Sequence, residues 1–597
     1  MMDENTNEQS SRENYRQEPK VGVYVCHCGG NISDVIDVKA VAAEMANYPG
    51  VTVAREYAFM CSSTGQDMIA EDIKNLGINR TVVCACSPSL HELTFRGVLQ
   101  RAGVNPYLHE HVNIREQASW VHKADHAGAT AKAVKLAQVG VEKVRRMDPL
   151  NPIRVAAEQR VAVIGGGVAG MRAALSFAGK GLEAVIIEKE PRLGGKLLNR
   201  GTMYPSGESG AAVVGKLEAL VRAERKITVY TGAAIERVGG FVGNFTVDFK
   251  NSEGTATHVK AGALIMATGF EHYTPFQGEF GYGESPNVVT LPSFIAFLKD
   301  KPAGKLVYEG REIKSLAIIH CVGSRQIEGV NQPQPDGKVN DYCSRVCCTA
   351  ALTTANEVKG KYPDVQIYDV YRDIRAYGMQ HESYYEEASK NGVLFFRHNE
   401  TDQPVVKTGT QGLSVTVKDV LTWGEELEMD VDLVVLATGL MPSDIKLITS
   451  QMKMSSSADR FLQEVHPKLR PVELANAGIF IAGAAQYPMD STEAMASAGT
   501  AAVKAAILLA EPDIPLEPFV ATVDETACTG CGLCPAECSY DGALMMTEKD
   551  GKKIAVVNPA LCKGCGACAA VCPTRAINLA GWTLNQFDAM VEAIARE

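Results

Sequence analysis

The stretch Arg160-Val-Ala-Val-Ile-Gly-Gly-Gly-Val-Ala-Gly170 decides the fold of the longest part of this chain. Its apolar first half is typical of a buried strand, and the run that follows, Met171-Arg-Ala-Ala-Leu-Ser-Phe177, is typical of a helix. Gly165, Gly167 and Gly170 form a G-x-G-x-x-G turn, which allows a tight bend, a close backbone approach to a pyrophosphate, and close packing of the helix on the strand. The stretch therefore predicts a dinucleotide site with its phosphates at a helix N-terminus.

The next strand indicates which dinucleotide binds. Ala184-Val-Ile-Ile187 ends in Glu188, where a carboxylate bonds the hydroxyls of an unphosphorylated ribose. The run EKEPRLGG at 188–195 and the A-T-G turns at 267–269 and 437–439 resemble motifs of the thioredoxin-reductase and glutathione-reductase superfamily. The later Gly478-Ile-Phe-Ile-Ala-Gly483 resembles that superfamily's strand towards the flavin, although Ala484 replaces the usual aspartate. The resemblance implies an FAD site that includes Gly165, Gly167, Ala169, Gly170, Glu188, Lys189, Gly194, Gly195, Lys196, Ala267, Thr268, Gly269, Gly483 and Gln486.

A second nucleotide turn, for NAD(P)H, is expected after a mid-chain strand in that superfamily. The candidate strand, Ser315-Leu-Ala-Ile-Ile319, continues as His320-Cys-Val-Gly-Ser-Arg325 and offers one glycine only. Cysteines stand there instead, and four thiolates are what one [4Fe–4S] cluster requires. Buried structural cysteines are the alternative. The cluster hypothesis predicts that the flavin exchanges electrons with the cluster rather than hydride with NAD(P)H. The predicted ligands of this cluster are Cys321, Cys343, Cys347 and Cys348.

The C-terminal part carries two C-x2-C-x2-C-x3-C runs, the strongest pattern in the chain. In such pairs each triplet wraps one [4Fe–4S] cube and the fourth cysteine ligates the other cube. Structural zinc, the competing interpretation, prefers pairs of cysteines separated by a loop. The final helix has an apolar stripe from Leu584 to Ile594 that we expect to pack on its own domain. The predicted ligand sets are Cys528, Cys531, Cys534 and Cys572 for one cube, and Cys562, Cys565, Cys568 and Cys538 for the other.

Five further cysteines lie near the N-terminus, in pairs at predicted strand ends. Val21–Val25 precedes one pair and Thr81–Val83 precedes the other, and a helix is expected from about 118 to 146. One [4Fe–4S] cluster needs four of the five thiols, so the ligand set stays open. The group consists of Cys26, Cys28, Cys61, Cys84 and Cys86.

Composition narrows the class of protein. The chain has 597 residues and 17 cysteines. Its formal net charge of −11 argues against a surface that binds nucleic acid or an anionic membrane. All the cysteines belong to the groups above, and the first 20 residues have no apolar signal-peptide core, so we expect reduced thiols in the cytoplasm. No apolar run approaches the 18 or so residues of a membrane span. No Ser/His/Asp or Cys/His arrangement indicates a catalytic nucleophile, and no catalytic residue is assigned.

Proline-rich stretches near 150 and 515 separate the expected domains. They are a flexible tail at 1–20, an α/β iron–sulfur domain at 21–150, an α/β FAD domain with an embedded cluster at 151–515, and an α+β ferredoxin domain with two [4Fe–4S] clusters at 516–597. The fold class is therefore α/β, with a thioredoxin-reductase-like fold of two dinucleotide domains at its centre.

Almost the whole chain after the tail resembles the A subunit of heterodisulfide reductase. The matching motifs include Val25-Cys-His-Cys-Gly29, Cys86-Ser-Pro88, Ser119-Trp-Val-His122 and Tyr342-Cys-Ser-Arg-Val-Cys-Cys348. The resemblance implies FAD, about four [4Fe–4S] clusters, and electron relay between partner proteins that donate and accept electrons. It also implies B/C-like partner subunits, an input subunit such as a hydrogenase or a ferredoxin- or NADH-linked module, and a homodimer within the complex.

The chain departs from that family at several positions. Ala118 stands where a cysteine is usual, Cys84 is additional, and residues 200–260 lack the cysteines of an inserted ferredoxin-like segment. Ser293 and Thr353 replace an expected glutamate and lysine near the flavin, so flavin-based bifurcation is in doubt. Alternative functions are a subunit of a quinone-interacting or class II benzoyl-CoA-reductase-type complex, a self-contained NAD(P)H:acceptor flavoprotein, and a non-catalytic redox sensor.

Overall fold

The computed structural model describes residues 18–409 and 412–596. Most of the predicted flexible tail, 1–20, lies outside the described residues. The chain divides into two compact units: one joins the residues up to Val155 with those from Pro515 onward, and the other comprises Ala156–Ile514. No helix in the described part of the chain is long and apolar enough to cross a membrane.

The N-terminal part is a parallel four-stranded sheet between helices, in the strand order β2-β1-β3-β4. β1 and β3 are buried along their whole length, as expected for the central strands of a parallel sheet covered on both faces. The helix predicted from 118 begins only at His126, because the Asp125 side chain caps it by accepting from Gly128 N–H. The elements are β1 (Val21–Cys26), α1 (Val38–Ala46), β2 (Val51–Tyr57), α2 (Ser63–Leu76), β3 (Arg80–Ala85), α3 (Pro88–Arg101), β4 (His109–Asn113) and α4 (His126–Val144).

The larger unit contains two modules, and the first begins at the glycine-rich turn. The strand and helix predicted on either side of that turn are confirmed. The first segment of this module contains the following elements, listed after the linker strand β5 (Ile153–Ala156): β6 (Arg160–Ile164), α5 (Val168–Ala178), β7 (Glu183–Ile187), α6 (Gly210–Ala223), β8 (Ile227–Tyr230), β9 (Ala234–Phe241), β10 (Asn244–Lys250), β11 (Ala256–Ala261), β12 (Ala263–Met266) and β13 (Phe270–His272).

The second module lies within the first, which the chain re-enters at its end. Its strands are β14 (Val288–Thr290), β15 (Val307–Tyr308), β16 (Arg311–Glu312), β17 (Ser315–Val322), β18 (Gln366–Tyr371), β19 (Leu394–Arg397), β20 (Val405–Gly409), β21 (Gly412–Asp419), β22 (Glu425–Val431), β23 (Leu433–Thr438) and β24 (Leu440–Pro442). Its helices, and the elements that return to the first module and leave it, are α7 (Leu291–Leu298), α8 (Cys347–Lys361), α9 (Glu382–Lys390), α10 (Lys446–Gln451), β25 (Ile479–Ile481), α11 (Ser491–Leu508) and β26 (Asp513–Leu516).

The two modules share one topology. The first has a parallel sheet in the order β25-β12-β6-β7-β8, and the second a parallel sheet in the order β14-β23-β17-β18-β19. Each has a three-stranded antiparallel sheet, β9–β11 or β20–β22, inserted before its β12 or β23 strand. This duplication confirms the predicted fold of two dinucleotide domains, and it makes β17 the counterpart of β6.

The C-terminal part is small, and three of the nine buried residues in its core are cysteines. It packs on the N-terminal part through Lys143, whose Nζ lies 3.0 Å from the centre of the Trp582 ring, and through a 2.8 Å ion pair between Arg96 and Glu517. The expectation that the apolar stripe of the last helix packs on its own domain is wrong, because Ala589 and Ala593 are buried while Val591 is 63% exposed. The elements are β27 (Ala521–Val523), α12 (Leu533–Glu537), β28 (Leu544–Lys549), β29 (Lys552–Val557), α13 (Ala567–Ala570), β30 (Ile577–Leu579) and α14 (Leu584–Ala595).

Candidate functional site

A cavity of about 960 Å³ follows the carboxyl edge of the first module's sheet. It passes the ends of β7, β6 and β12 and continues to the loop after β25, so its lining comes from strands far apart in sequence. Ligands of parallel sheets bind at this edge. The predicted FAD residues that line the cavity are Gly165, Gly167, Ala169, Glu188, Lys189, Gly194, Gly195, Lys196, Ala267, Thr268 and Gly269.

The glycine turn is shaped to receive a phosphate group. A Cβ at Gly165 would meet the Ala267 carbonyl oxygen at 2.3 Å. The backbone φ of +110° at Gly165 is also one that residues with a side chain rarely adopt, so both observations require glycine. A Cβ on Gly167 would meet nothing within 4 Å, which leaves this face of the turn open to the cavity at the N-terminus of α5. The open turn fits the pyrophosphate of FAD.

Three predicted residues do not line the cavity. Gly170 instead permits close packing of α5 on the glycine turn, since a Cβ there would lie 1.9 Å from the Gly165 carbonyl oxygen. A Cβ on Gly483 would approach the Cβ of Ala169 to 2.7 Å, and Gln486 is buried. Gly170 and Gly483 thus shape the site through packing.

The charged side chains predicted to bind FAD, which are Glu188, Lys189 and Lys196, all have partners within the protein. Glu188 is buried and accepts hydrogen bonds from the backbone N–H groups of Gly166 and Glu190. Lys189 and Lys196 both pair with Glu271, which lowers the pKa of that carboxyl against the opposing effect of burial. These pairs leave the Glu188 carboxylate as the acceptor for ribose hydroxyls.

The other end of the cavity has a lining that the sequence did not indicate. Arg200, Tyr204, His272 and Val346 meet there from separate segments, with no shared motif or period. Burial raises the pKa of Tyr204 to about 12, and burial followed by the charge of Arg200 lowers the pKa of His272 to about 4. Tyr204 also lies within electrostatic range of Cys347, so this end of the cavity adjoins the mid-chain thiols.

The mid-chain cysteines are brought together at the end of β17 and the start of α8. The Cys347 thiol lies beside that of Cys348 and within electrostatic range of Cys321 and Cys343. Its hydrogen bond to Cys348 and its burial both raise the pKa of Cys347. The group occupies the place that corresponds to the glycine turn after β6, so all four predicted ligands converge where a second nucleotide would bind.

Ser293 and Thr353 do not line the flavin cavity. The Ser293 hydroxyl lies 2.9 Å from that of Thr290, and the Thr353 hydroxyl donates to the Thr349 carbonyl at 2.7 Å. The charge beside the flavin is therefore set by other residues.

The C-terminal cysteines surround two separate cavities. In each, three thiols of one run meet the fourth thiol of the other run, as the sequence pattern predicts for two cubes. Cys531 and Cys565 are exposed, so each set reaches the surface. One set is Cys528, Cys531, Cys534 and Cys572, and the other is Cys538, Cys562, Cys565 and Cys568. Among residues 18–409 and 412–596, no three or more His, Cys, Asp and Glu side chains form a group that could hold a single metal ion. The thiols of each set instead line a cavity.

Four of the five N-terminal thiols also lie together, beyond the carboxyl ends of β1 and β3. Cys26 is within electrostatic range of Cys28 and Cys61, and Cys86 is within range of Cys26 and Cys28. Burial, more than any other cause, raises the pKa of Cys26, and it raises the pKa of Cys86 to about 12. Arg115 donates to the Cys28 sulfur at 3.4 Å and supplies a positive charge beside the group.

Cys84 is not part of that group. Successive side chains of a strand point to opposite faces, and Cys84 packs in the core cluster of Val23 and Leu108 whereas Cys26 packs in the cluster on the other face. Ala118, at the position of the usual family cysteine, is fully buried in the same cluster as Cys84. Four thiols therefore remain for a cluster in this part of the chain.

Replacing the Cys84 thiol is expected to leave the iron content unchanged. In Cys84→Ala the lost sulfur opens a small cavity in the core, which should lower the free energy of unfolding by about 1 kcal/mol. Iron per chain and a denaturant titration of the purified protein measure both effects. Cys61→Ala, the contrasting variant, should lose about four irons; the same loss in Cys84→Ala would place Cys84 among the ligands.

Comparison with known proteins identifies the family. The pyridine nucleotide-disulphide oxidoreductase family matches residues 159–319, and the 4Fe-4S dicluster domain matches residues 521–576. An iron-sulfur A subunit of the CoB–CoM heterodisulfide reductase of Methanopyrus kandleri is 36% identical to this chain, over 90% of the chain and 93% of the relative. The chain belongs to the family of heterodisulfide reductase A subunits.

A second relative agrees with this membership. The A subunit of the H2:CoB-CoM heterodisulfide,ferredoxin reductase of Methanothermobacter marburgensis is 35% identical over 89% of this chain and 91% of its own length. Among solved structures, the thioredoxin reductase of Lactococcus lactis covers 59% of this chain and 99% of its own, with 18% identity and a TM-score of 0.40. As a member of the heterodisulfide reductase family, the chain is an electron-transfer oxidoreductase subunit whose cofactors are FAD and [4Fe–4S] clusters.

Proposed function

We propose that this chain relays electrons from a donor protein to an acceptor protein of a heterodisulfide reductase-like complex, through its flavin and its clusters. The observation that carries the proposal is the neighbourhood of the flavin cavity. Val346 lines the cavity, and the next residue, Cys347, belongs to the mid-chain thiol group. A cluster held by these thiols would adjoin the flavin. A flavin can hold two electrons and pass them one at a time to single-electron carriers such as iron–sulfur clusters.

The thiol groups support about four clusters in the chain, at four thiolates each. Two would be held by the crossed C-terminal sets, one by the mid-chain group and one by Cys26, Cys28, Cys61 and Cys86. The exposed Cys531 and Cys565 favour the C-terminal pair as the point of electron exchange with another protein.

The partners are proposed from the family. B/C-like subunits would accept electrons, and a hydrogenase or a ferredoxin- or NADH-linked module would supply them, within a complex that contains this chain as a homodimer in the cytoplasm. The names of relatives pair the heterodisulfide with ferredoxin or with hydrogen. The neutral hydroxyls at 293 and 353 lie outside the cavity lining and provide no support for bifurcation.

Anaerobic reduction of the purified chain tests the relay. Because β17 ends in Cys321 and Val322 rather than in a glycine turn, neither NADH nor NADPH should bleach the flavin, whereas reduced ferredoxin or a copurified donor protein should bleach it rapidly. Fast bleaching by either nucleotide would establish the self-contained NAD(P)H oxidoreductase instead. A chain whose flavin no donor protein reduces would be the redox sensor.

A further inference from the structure

The end of the flavin cavity that contains the redox-active ring can be derived from the strand order. Glu188, which suits a ribose, follows β7, and the phosphate turn follows β6. β12 and β25 lie next in the sheet, each about 4.8 Å further along. An extended FAD that starts at β7 and passes β6 therefore has its ring on the β12 and β25 side. His272 lies in β13, which follows β12, and Tyr204 is within electrostatic range of Asp490, which follows β25. Arg200 is within range of both His272 and Tyr204.

Arg200 differs from Lys189 and Lys196, which line the same cavity. Lys189 and Lys196 share the carboxylate of Glu271. In the part of the chain that the structure describes, Arg200 forms no ion pair, and its electrostatic neighbours are Tyr204 and the neutral His272. Arg200 is partly buried at the wall of the cavity, and a guanidinium without a counter-ion there is stabilised when a bound ligand supplies negative charge.

The reduced ring can supply that charge. Uptake of two electrons and one proton by neutral oxidised flavin leaves one net negative charge on the ring, with the electrons delivered singly by iron–sulfur carriers and the proton by solvent. A fixed cation beside the ring stabilises the product of this step and not its reactant. We propose that Arg200 is a positioning charge for the flavin: it binds the reduced form in preference to the oxidised form and so raises the midpoint potential of the FAD.

The inference rests on the proposed function only for the identity of the electron donors. The alternative role for Arg200 is attachment of FAD through its phosphates, which carry the same charge in both redox states. An arginine that bound the phosphates would stabilise oxidised and reduced FAD equally. Its replacement would then leave the midpoint potential unchanged.

The test compares full-length Arg200→Gln with the unmodified protein by anaerobic spectroelectrochemistry. Spectra of the FAD-free protein at the same potentials are subtracted, so that only the flavin contributes. We expect the ratio of FAD dissociation constants, oxidised over reduced, to fall about tenfold, which lowers the two-electron midpoint potential by ~30 mV. Arg200→Lys should recover most of the shift.

Arg192→Gln is the matched control, because Arg192 lines the same cavity but is exposed beside the ribose end. Its potential should equal that of the unmodified protein. An unchanged potential in Arg200→Gln, with equal weakening of both redox states, would overturn the proposal and assign Arg200 to FAD attachment. Bleaching by NADH would refute the proposed relay without moving this potential, so the two failures are distinguishable.

Discussion

Cys572→Ala is expected to lose one of the two C-terminal clusters, or about four irons per chain. The reason is the crossed arrangement of the thiols, in which Cys572 faces Cys528, Cys531 and Cys534 although it lies in the other run of the sequence. Three remaining thiolates leave one corner of a cube open to solvent and oxidant. Iron and acid-labile sulfide per chain, measured anaerobically, give the size of the loss.

Alkylation followed by mass spectrometry shows which cube is lost. With the crossed arrangement, Cys528, Cys531 and Cys534 become reactive in Cys572→Ala, and the thiols around Cys562 stay protected. Cys538→Ala is the matched variant and should give the reverse pattern, because Cys538 faces the second triplet. Labelling of Cys562, Cys565 and Cys568 in Cys572→Ala would show that each run holds its own cube.

Gly170→Ala is expected to weaken FAD binding about 10- to 100-fold. The added Cβ would stand 1.9 Å from the Gly165 carbonyl oxygen, so the helix α5 must move away from the phosphate turn. Overpacking of this kind costs about 1–3 kcal/mol, and each 1.4 kcal/mol is about tenfold in affinity. Flavin retained per chain and a fluorescence titration of the stripped protein with FAD measure the effect.

Gly215→Ala controls for a helical glycine as such. Gly215 lies in α6, where a Cβ would meet no atom within 4 Å. Alanine there should preserve FAD affinity and raise the free energy of unfolding by roughly 0.5–1 kcal/mol, since glycine is the poorer helix former. Equal FAD affinity in Gly170→Ala and Gly215→Ala would contradict the role given to Gly170.

Local patterns allowed much of this protein to be predicted from sequence. The turn at Gly165 and the two C-terminal cysteine triplets are short segments in which spacing brings most of the functional groups together, and the crossed fourth cysteine follows from the known pattern of such runs. The strand predicted at Ser315 and its missing glycines also pointed to the site that the mid-chain thiols occupy. The glycine turn and the triplets depend on neighbours in sequence, and the remaining thiols join them through the fold.

Tertiary packing decided the rest. Arg200, Tyr204 and His272 meet only through folding of separate loops, so no period or motif marks them. Cys84 lies within β3 and packs in the core, whereas Cys86 lies just beyond the end of that strand, and the sequence pattern does not distinguish the two thiols. The stripe of α14 has helical spacing, yet spacing cannot tell which face a neighbour covers.

On the proposed function, the thiols at the end of β17 stand where NADH or NADPH would otherwise bind beside the flavin. No free nucleotide then reduces or oxidises the flavin directly, and the oxidation state of the flavin depends only on the protein docked on the chain. A cell that changes its electron source needs to exchange only the docked partner, while this subunit stays the same.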